Sequence, residues 1–147
     1  MTEEKKRVGA GFGIMVLRNN KILLGKRHED SEKADSELHG EGTWTMPGGK
    51  MEYGETFEEL TTRELKEETG MELKKARLIC VNNDKNEHAH FITLGFVAEE
   101  FEGEAKVMEP DEITEWKWFS LDELPEKMFF PSKKVLECWQ NNKITLD

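Results

Sequence analysis

The chain has 147 residues, 36% of them hydrophobic and 35% charged, which suits a globular protein with a solvated surface and excludes a disordered chain. Thirty-one acidic against 21 basic residues leave a formal charge of −10, which works against a nucleic-acid polymer as partner. No run approaches the roughly 20 apolar residues of a membrane span. The charged start Met1-Thr2-Glu3-Glu4-Lys5-Lys6-Arg7 lacks the apolar centre of a signal peptide, so a cytoplasmic address with no membrane contact is expected.

Residues 8–17 alternate small and apolar side chains. Arg18-Asn19-Asn20 then supplies turn chemistry before the apolar run Ile22-Leu23-Leu24, which predicts a hairpin. Residues 28–42 read as a long polar loop, of a length uncommon without a function. Trp44-Thr45-Met46-Pro47 follows as an extended segment that Gly48-Gly49 breaks. A helical pattern runs from about Thr56 to Thr69, with Gly70 placed as its C-terminal stop. Residues 76–81 and 91–98 read as strands joined by a polar turn over 82–87, and 116–119 as a further strand. Ser120-Leu121-Asp122-Glu123 has capping-box spacing and predicts a short helix ending by Pro125. Pro131-Ser132 opens a last helix over residues 133–139. Strands and helices interspersed in this way predict an α/β (α+β) fold, a mixed sheet covered by helices, with residues 1–147 as one domain. Cys80 and Cys138 lack ligand spacing and read as small buried hydrophobes.

On the helix after Thr56, Phe57, Leu60, Glu64, Glu67 and Glu68 fall within about a third of the circumference, while Glu59, Thr62 and Lys66 point away. Three carboxylates thus share the face that packing would assign to apolar side chains. As neighbours at three- and four-residue spacing they repel, by a few tenths of a kcal/mol each when exposed and by more when buried. A hard divalent cation such as Mg²⁺ relieves that repulsion, and a chain this acidic needs metal and local bases before it accepts a polyphosphate. The plainer reading is a solvated acidic face. Against it stand Gly48 and Gly49, which allow close backbone approach to a metal or phosphate, and Arg63, which is placed to pair with Glu55 and hold the preceding loop.

Gly49, five residues, Glu55, seven residues, then Arg63-Glu64-Leu65-Lys66-Glu67-Glu68-Thr69-Gly70-Met71 match the signature of the Nudix hydrolases without a departure. The approach from Trp44 to Gly49 and the segments Glu109-Pro110, Trp116-Lys117-Trp118-Phe119 and Leu121-Asp122-Glu123-Leu124-Pro125 also resemble small MutT-like nucleoside triphosphate diphosphatases of that family. The resemblance implies an α/β/α sandwich around a mixed sheet and hydrolysis of a nucleotide pyrophosphate bond with Mg²⁺, or Mn²⁺ in its place. It implies Glu67 and Glu68 as main metal ligands, Glu64 as a further ligand or a base orienting water, and Glu55 acting through water or Arg63. The carbonyl oxygen of Gly48 is another candidate ligand. One more acid is expected from a downstream loop, Glu109 or Glu112, with Asp111 and Glu115 as rivals. A homodimer is also an expectation of the resemblance.

Substrate markers lie outside the signature. Hydrolases of ADP-ribose in this family tend to carry a proline some fifteen residues past it, and those of dinucleoside polyphosphates a nearby tyrosine. Here that region reads Asp84-Lys85-Asn86-Glu87-His88, which favours a triphosphate, including an oxidised one as in nucleotide-pool sanitation. A nucleoside diphosphate linked to a sugar or other group is the alternative, and a silent binding module a third, disfavoured because every signature glutamate is present. Arg27 is the candidate phosphate contact. His88 and His90, alternating with Ile92 and Leu94, are candidates for a base pocket, and Phe129 or Phe130 for stacking a base, although strand and core roles are the plainer readings.

Overall fold

The computed structural model describes residues 6–34 and 36–147; residues 1–5 of the charged N-terminal segment lie outside the described residues. Among these, the elements run β1 (Gly9–Met15), β2 (Leu17–Arg18), β3 (Lys21–Arg27), α1 (Ser31–Ala34), β4 (Trp44–Thr45) and β5 (Gly48–Lys50). They continue as α2 (Phe57–Thr69), β6 (Glu72–Lys85), β7 (His90–Glu102), β8 (Ile113–Ser120) and α3 (Phe130–Asn141). One four-stranded sheet has the order β5-β1-β7-β6; in the other, β3 pairs with β2, β4 and β8. The parallel pairing of β1 with β7 among antiparallel neighbours makes the first sheet mixed, as expected.

Period-two alternation along β1 feeds two cores at once. Phe12, Ile14 and Val16 join Leu60 and Leu65 of α2, whereas Met15 joins Val135 and Leu136 of α3. Helices α2 and α3 thereby cover opposite faces of the sheet, which is the α/β/α arrangement. No helix among the described residues is long and apolar enough to cross a membrane.

Several local expectations need correction. Asn19 and Asn20 both take left-handed backbone (φ 51° and 62°), which Asn tolerates, and close a tight turn. That turn joins β2 to β3 only; β1 departs to the other sheet, so the predicted hairpin is split. The long loop carries the single-turn helix α1. Gly48-Gly49 does not break a strand but forms β5 against β1, where a Cβ on Gly48 would lie 2.1 Å from the Phe12 carbonyl oxygen. The predicted turn over 82–87 is strand as far as Lys85, because Asn82 and Asp84 are buried and find their partners inside the fold. Asn82 Oδ1 accepts from the Leu146 N–H at 2.9 Å, and the Lys134 ammonium lies 2.7 Å from the fully buried Asp84. Ser120 to Glu123 forms a turn and no helix, since Pro125 removes a backbone donor before a first helical turn can close. Cys80 and Cys138 are free and buried beside Asn82. Strand β6 lies at a sheet edge, and the Val81 N–H on it donates to the Ile144 carbonyl at 2.8 Å.

Candidate active site

Helix α2 starts where it does because Thr56 Oγ1 accepts from the Glu59 N–H while Glu59 Oε1 accepts from the Thr56 N–H, both at 3.1 Å. Such a reciprocal cap contributes about 1 kcal/mol. Gly70, with φ 76°, ends the helix in the left-handed region. The buried arc comprises Leu60, Thr61, Leu65, Glu68 and Thr69, so it is centred on Thr61 and Leu65 and not on Phe57 and Glu64 as the wheel predicted. Phe57 is 45% exposed and the Glu67 side chain 52% exposed. Glu68 alone of the three carboxylates is inside; the Glu64 side chain, 14% exposed, sits on the margin.

Arg63 organises the acidic edge with one planar fork. Its Nε and Nη2 donate to the two oxygens of Glu55 at 2.6 and 3.0 Å, and Nη1 donates to Glu64 at 2.7 Å and Glu67 at 3.1 Å. Glu55 also accepts from the Glu52 N–H at 2.9 Å, so the guanidinium fixes the loop before α2 as well as the helix face. This hydrogen bonding holds the Glu55 carboxyl below its ordinary range.

The neighbouring carboxyls shift the other way. Burial pushes Glu64 up to about 7, against the opposing pull of Arg63 and with added repulsion from Glu67 and Glu109. Burial raises Glu68 well above the usual carboxylate range, with repulsion from Glu64, Glu109 and Glu112 adding to it and the Gly48 N–H opposing it. Glu109 is raised by burial and by Glu67. Glu68, Glu109 and Glu112 each offer an oxygen within 4.8 Å of the others'. A turn supplies the second pair, where the Glu112 N–H donates to the Glu109 carbonyl at 3.0 Å. Partly desolvated carboxylate oxygens converging in this way fit a hard divalent cation. Both downstream candidates therefore enter the cluster, whereas Asp111 and Glu115 do not. Glu67 also stays outside it, engaged with Arg63. Gly48 is present through its N–H, which donates to Glu68 at 2.9 Å.

A cleft of about 580 Å³ opens beside these groups. Arg27 and Gly49 line it; Arg27 donates to the Ala34 carbonyl at 2.8 Å and lies over the Phe129 ring at 5.0 Å. Phe129 lines it and Phe130 does not. His88 stacks on His39 at 3.9 Å outside the lining, and the His90 ring pairs with Asn83. The residues of β7 that face the cleft are Phe91 and Thr93, one position out of step with the predicted pair, so alternation places His90 and Ile92 on the other face. Ser132, Lys50 and Glu37 also line the cleft and went unnoticed in the sequence. For Ser132 the legible signal was its place in the first turn of a helix, whose unpaired N–H groups suit an anion.

A mixed-sheet sandwich presenting a glutamate-rich helix to a cleft defines a class, and comparison with known proteins names it. The NUDIX domain family matches residues 7–139, and the chain belongs to that family of hydrolases. It is 35% identical over 132 residues to an ADP-ribose pyrophosphatase of Methanocaldococcus jannaschii, covering 86% of this chain and 72% of that protein. It is 33% identical over 119 residues to the NAD-capped RNA hydrolase NudC of Pseudomonas aeruginosa, covering 81% of this chain but only 38% of NudC. Among solved structures, a MutT NUDIX hydrolase from Burkholderia pseudomallei superposes with a TM-score of 0.79 at 33% identity, over 90% of this chain and 98% of that one.

Proposed function

We propose that the protein hydrolyses the pyrophosphate bond of a nucleoside diphosphate linked to a second group, of the ADP-ribose kind, with Mg²⁺ or Mn²⁺. The observation that carries the reaction is the convergence of Glu68, Glu109 and Glu112 beside Glu64 at the mouth of the cleft. Glu68, Glu109 and Glu112 are the residues to hold the cation, and Glu67 faces the same opening. When bound, a divalent ion neutralises phosphate oxygens and acidifies water.

The chain's own residues supply the rest. Glu64, near neutrality in its buried setting, takes the proton of the attacking water, and Arg63 fixes the direction of its carboxylate. The water oxygen bonds to phosphorus as the bridging P–O bond breaks, which gives a nucleoside monophosphate and the phosphorylated second group. In this reading Arg27, which lines the cleft, is the phosphate contact, and Phe129, which lines it too, stacks or abuts the base. The preference for a diphosphate joined at both ends is supported by the names of the relatives, an ADP-ribose pyrophosphatase and a hydrolase of NAD-capped RNA.

The triphosphate expected from the sequence is the second reading, favoured by likeness to a structure titled a MutT hydrolase. Product analysis on ADP-ribose, NAD and a set of nucleoside triphosphates with Mg²⁺ separates them. AMP from ADP-ribose supports the first; pyrophosphate from triphosphates alone moves the assignment to the second; no turnover of any nucleotide removes both.

A further inference from the structure

The basic residues lining the cleft, among the described residues, are Arg27, Lys50 and Arg63. Two of them are held in place, Arg27 as the proposed phosphate contact. Arg63 is spread over Glu55, Glu64 and Glu67, and Arg27 is held by the Ala34 carbonyl and the Phe129 ring. Lys50 differs: its side chain is 59% exposed, its backbone is on β5 next to Gly49, and its ammonium lies 2.6 Å from Glu37 Oε2. Glu37 belongs to the segment between β3 and β4, and its side chain is 60% exposed. The pair therefore reaches across the cleft, from the strand beside the acidic cluster to the opposite rim.

The rim is anchored on both sides of Glu37. The Ala34 carbonyl accepts from Arg27 at 2.8 Å, and the Leu38 carbonyl accepts from Asn86 Nδ2 at 2.7 Å. Glu37 is thus a carboxylate presented to the cleft by a tethered backbone.

We propose that Glu37 is a specificity-determining residue that disfavours substrates with a free terminal phosphate. A triphosphate brings an unesterified, extra-charged end into a cleft already lined by many acids, and the exposed cation able to meet it is masked by Glu37. A diphosphate esterified at both ends carries less charge and loses less by that masking. The effect is a built-in repulsion against one substrate class, with Lys50 as the group both classes compete for. The inference rests on the proposed pyrophosphate hydrolysis and adds a reason for its choice of leaving group.

The test is the ratio of kcat/KM for ATP to that for ADP-ribose in the wild type, Glu37→Gln, Lys50→Ala and Glu32→Gln. Glu32 is an acid of the same segment outside the cleft lining, so its variant controls for net charge. Glu37→Gln is expected to raise the ratio about threefold to tenfold, mainly through KM for ATP, with Glu32→Gln unchanged. In the Lys50→Ala background, Glu37→Gln should change the ratio less than in the wild type. The same ratio is read in dissociation constants by calorimetry with Mg²⁺ in a Glu64→Gln background, which lacks the proposed base and does not depend on turnover. A ratio unmoved by Glu37→Gln in both measurements, or moved equally by Glu32→Gln, overturns the role of Glu37 even where hydrolysis stands. A shifted binding ratio in a protein that turns over neither nucleotide upholds it and removes the proposed reaction instead.

Discussion

The Gly48 N–H donates to a carboxylate oxygen of Glu68 across 2.9 Å, joining strand β5 to the buried side of helix α2. That one bond opposes a burial that otherwise drives Glu68 towards its neutral form, and it holds the carboxylate beside Glu109 and Glu112. Glu68→Gln keeps the shape and removes a charge that burial penalises. It should stabilise the metal-free protein, by about 1 kcal/mol in urea unfolding, and lower Mg²⁺-dependent turnover at least about a hundredfold. A variant that turns over normally would remove Glu68 from the metal site.

Backbone approach at the same place sets a second expectation. Gly48→Ala puts a Cβ 2.1 Å from the Phe12 carbonyl oxygen, an atom of the paired strand that cannot step aside cheaply. A loss of more than about 3 kcal/mol, or failure to fold, is expected, measured by thermal unfolding. Gly54→Ala is the comparison: nothing lies within 4 Å of its Cβ, but φ is +84°, so the cost should be about 1 kcal/mol.

The raised carboxyls make stability depend on pH when metal is absent. Glu64 titrates at about 7 in the folded protein and Glu68 well above its ordinary value. Below about pH 4 both are protonated whether the chain is folded or not, and the folded state suffers no charge burial. As pH rises from about 4.5 through 7 the unfolded chain releases protons that the folded one retains, so stability must fall. Calorimetric scans in EDTA should show Tm lower by several degrees at about pH 7.5 than at about pH 5, and saturating Mg²⁺ should flatten the difference. Equal Tm values in EDTA would mean that these carboxyls are not desolvated.

Arg63→Lys keeps the charge and loses the fork. A lysine ammonium cannot reach Glu55 with two parallel bonds while also holding Glu64 and Glu67. We expect kcat to fall about tenfold to a hundredfold with KM changed far less, and hydrogen exchange to quicken at residues 52–55. Undisturbed exchange there would show that Arg63 does not restrain the loop.

Away from the cleft, Asp84 is fully buried and its closest counter-charge is the Lys134 ammonium at 2.7 Å. The ammonium lies off the carboxylate's hydrogen-bonding directions, since neither Asp84 oxygen has a hydrogen-bond partner of good geometry. Lys134→Met leaves the carboxylate alone in the core and should cost about 3 kcal/mol in urea unfolding. Adding Asp84→Asn to that variant should recover most of the loss, because the stranded charge is then gone.

What was readable in the sequence follows from which interactions are local. Helix α2 and its stop at Gly70 were legible because caps and periodicity act within a few residues, and the capping box at Thr56 and Glu59 was there to be read as well. Glu109 and Glu112 were legible only as alternatives for one ligand, with Asp111 and Glu115 as rivals, since their approach to Glu68 depends on how β8 is placed against β3. Asn82 and Asp84 were misread because polarity signals a turn only when water is the partner; here Leu146 and Lys134 are. The base-pocket candidates lie outside the cleft lining, His90 by one residue of register on β7, where a single step exchanges the faces of Phe91 and His90. The Glu37–Lys50 pair joins segments that only the folded chain brings together.

The bond from Val81 to Ile144 has a consequence for handling the protein. Strand β6 is fourteen residues long and borders its sheet, so an open margin there would template pairing with a second molecule. Residues 144–146 act as a guard rail over part of that margin, fastened by the Ile144 carbonyl and the Leu146 N–H. Trimming them, or crowding them with a fused tag, invites self-association and clumping before it touches the chemistry of the cleft.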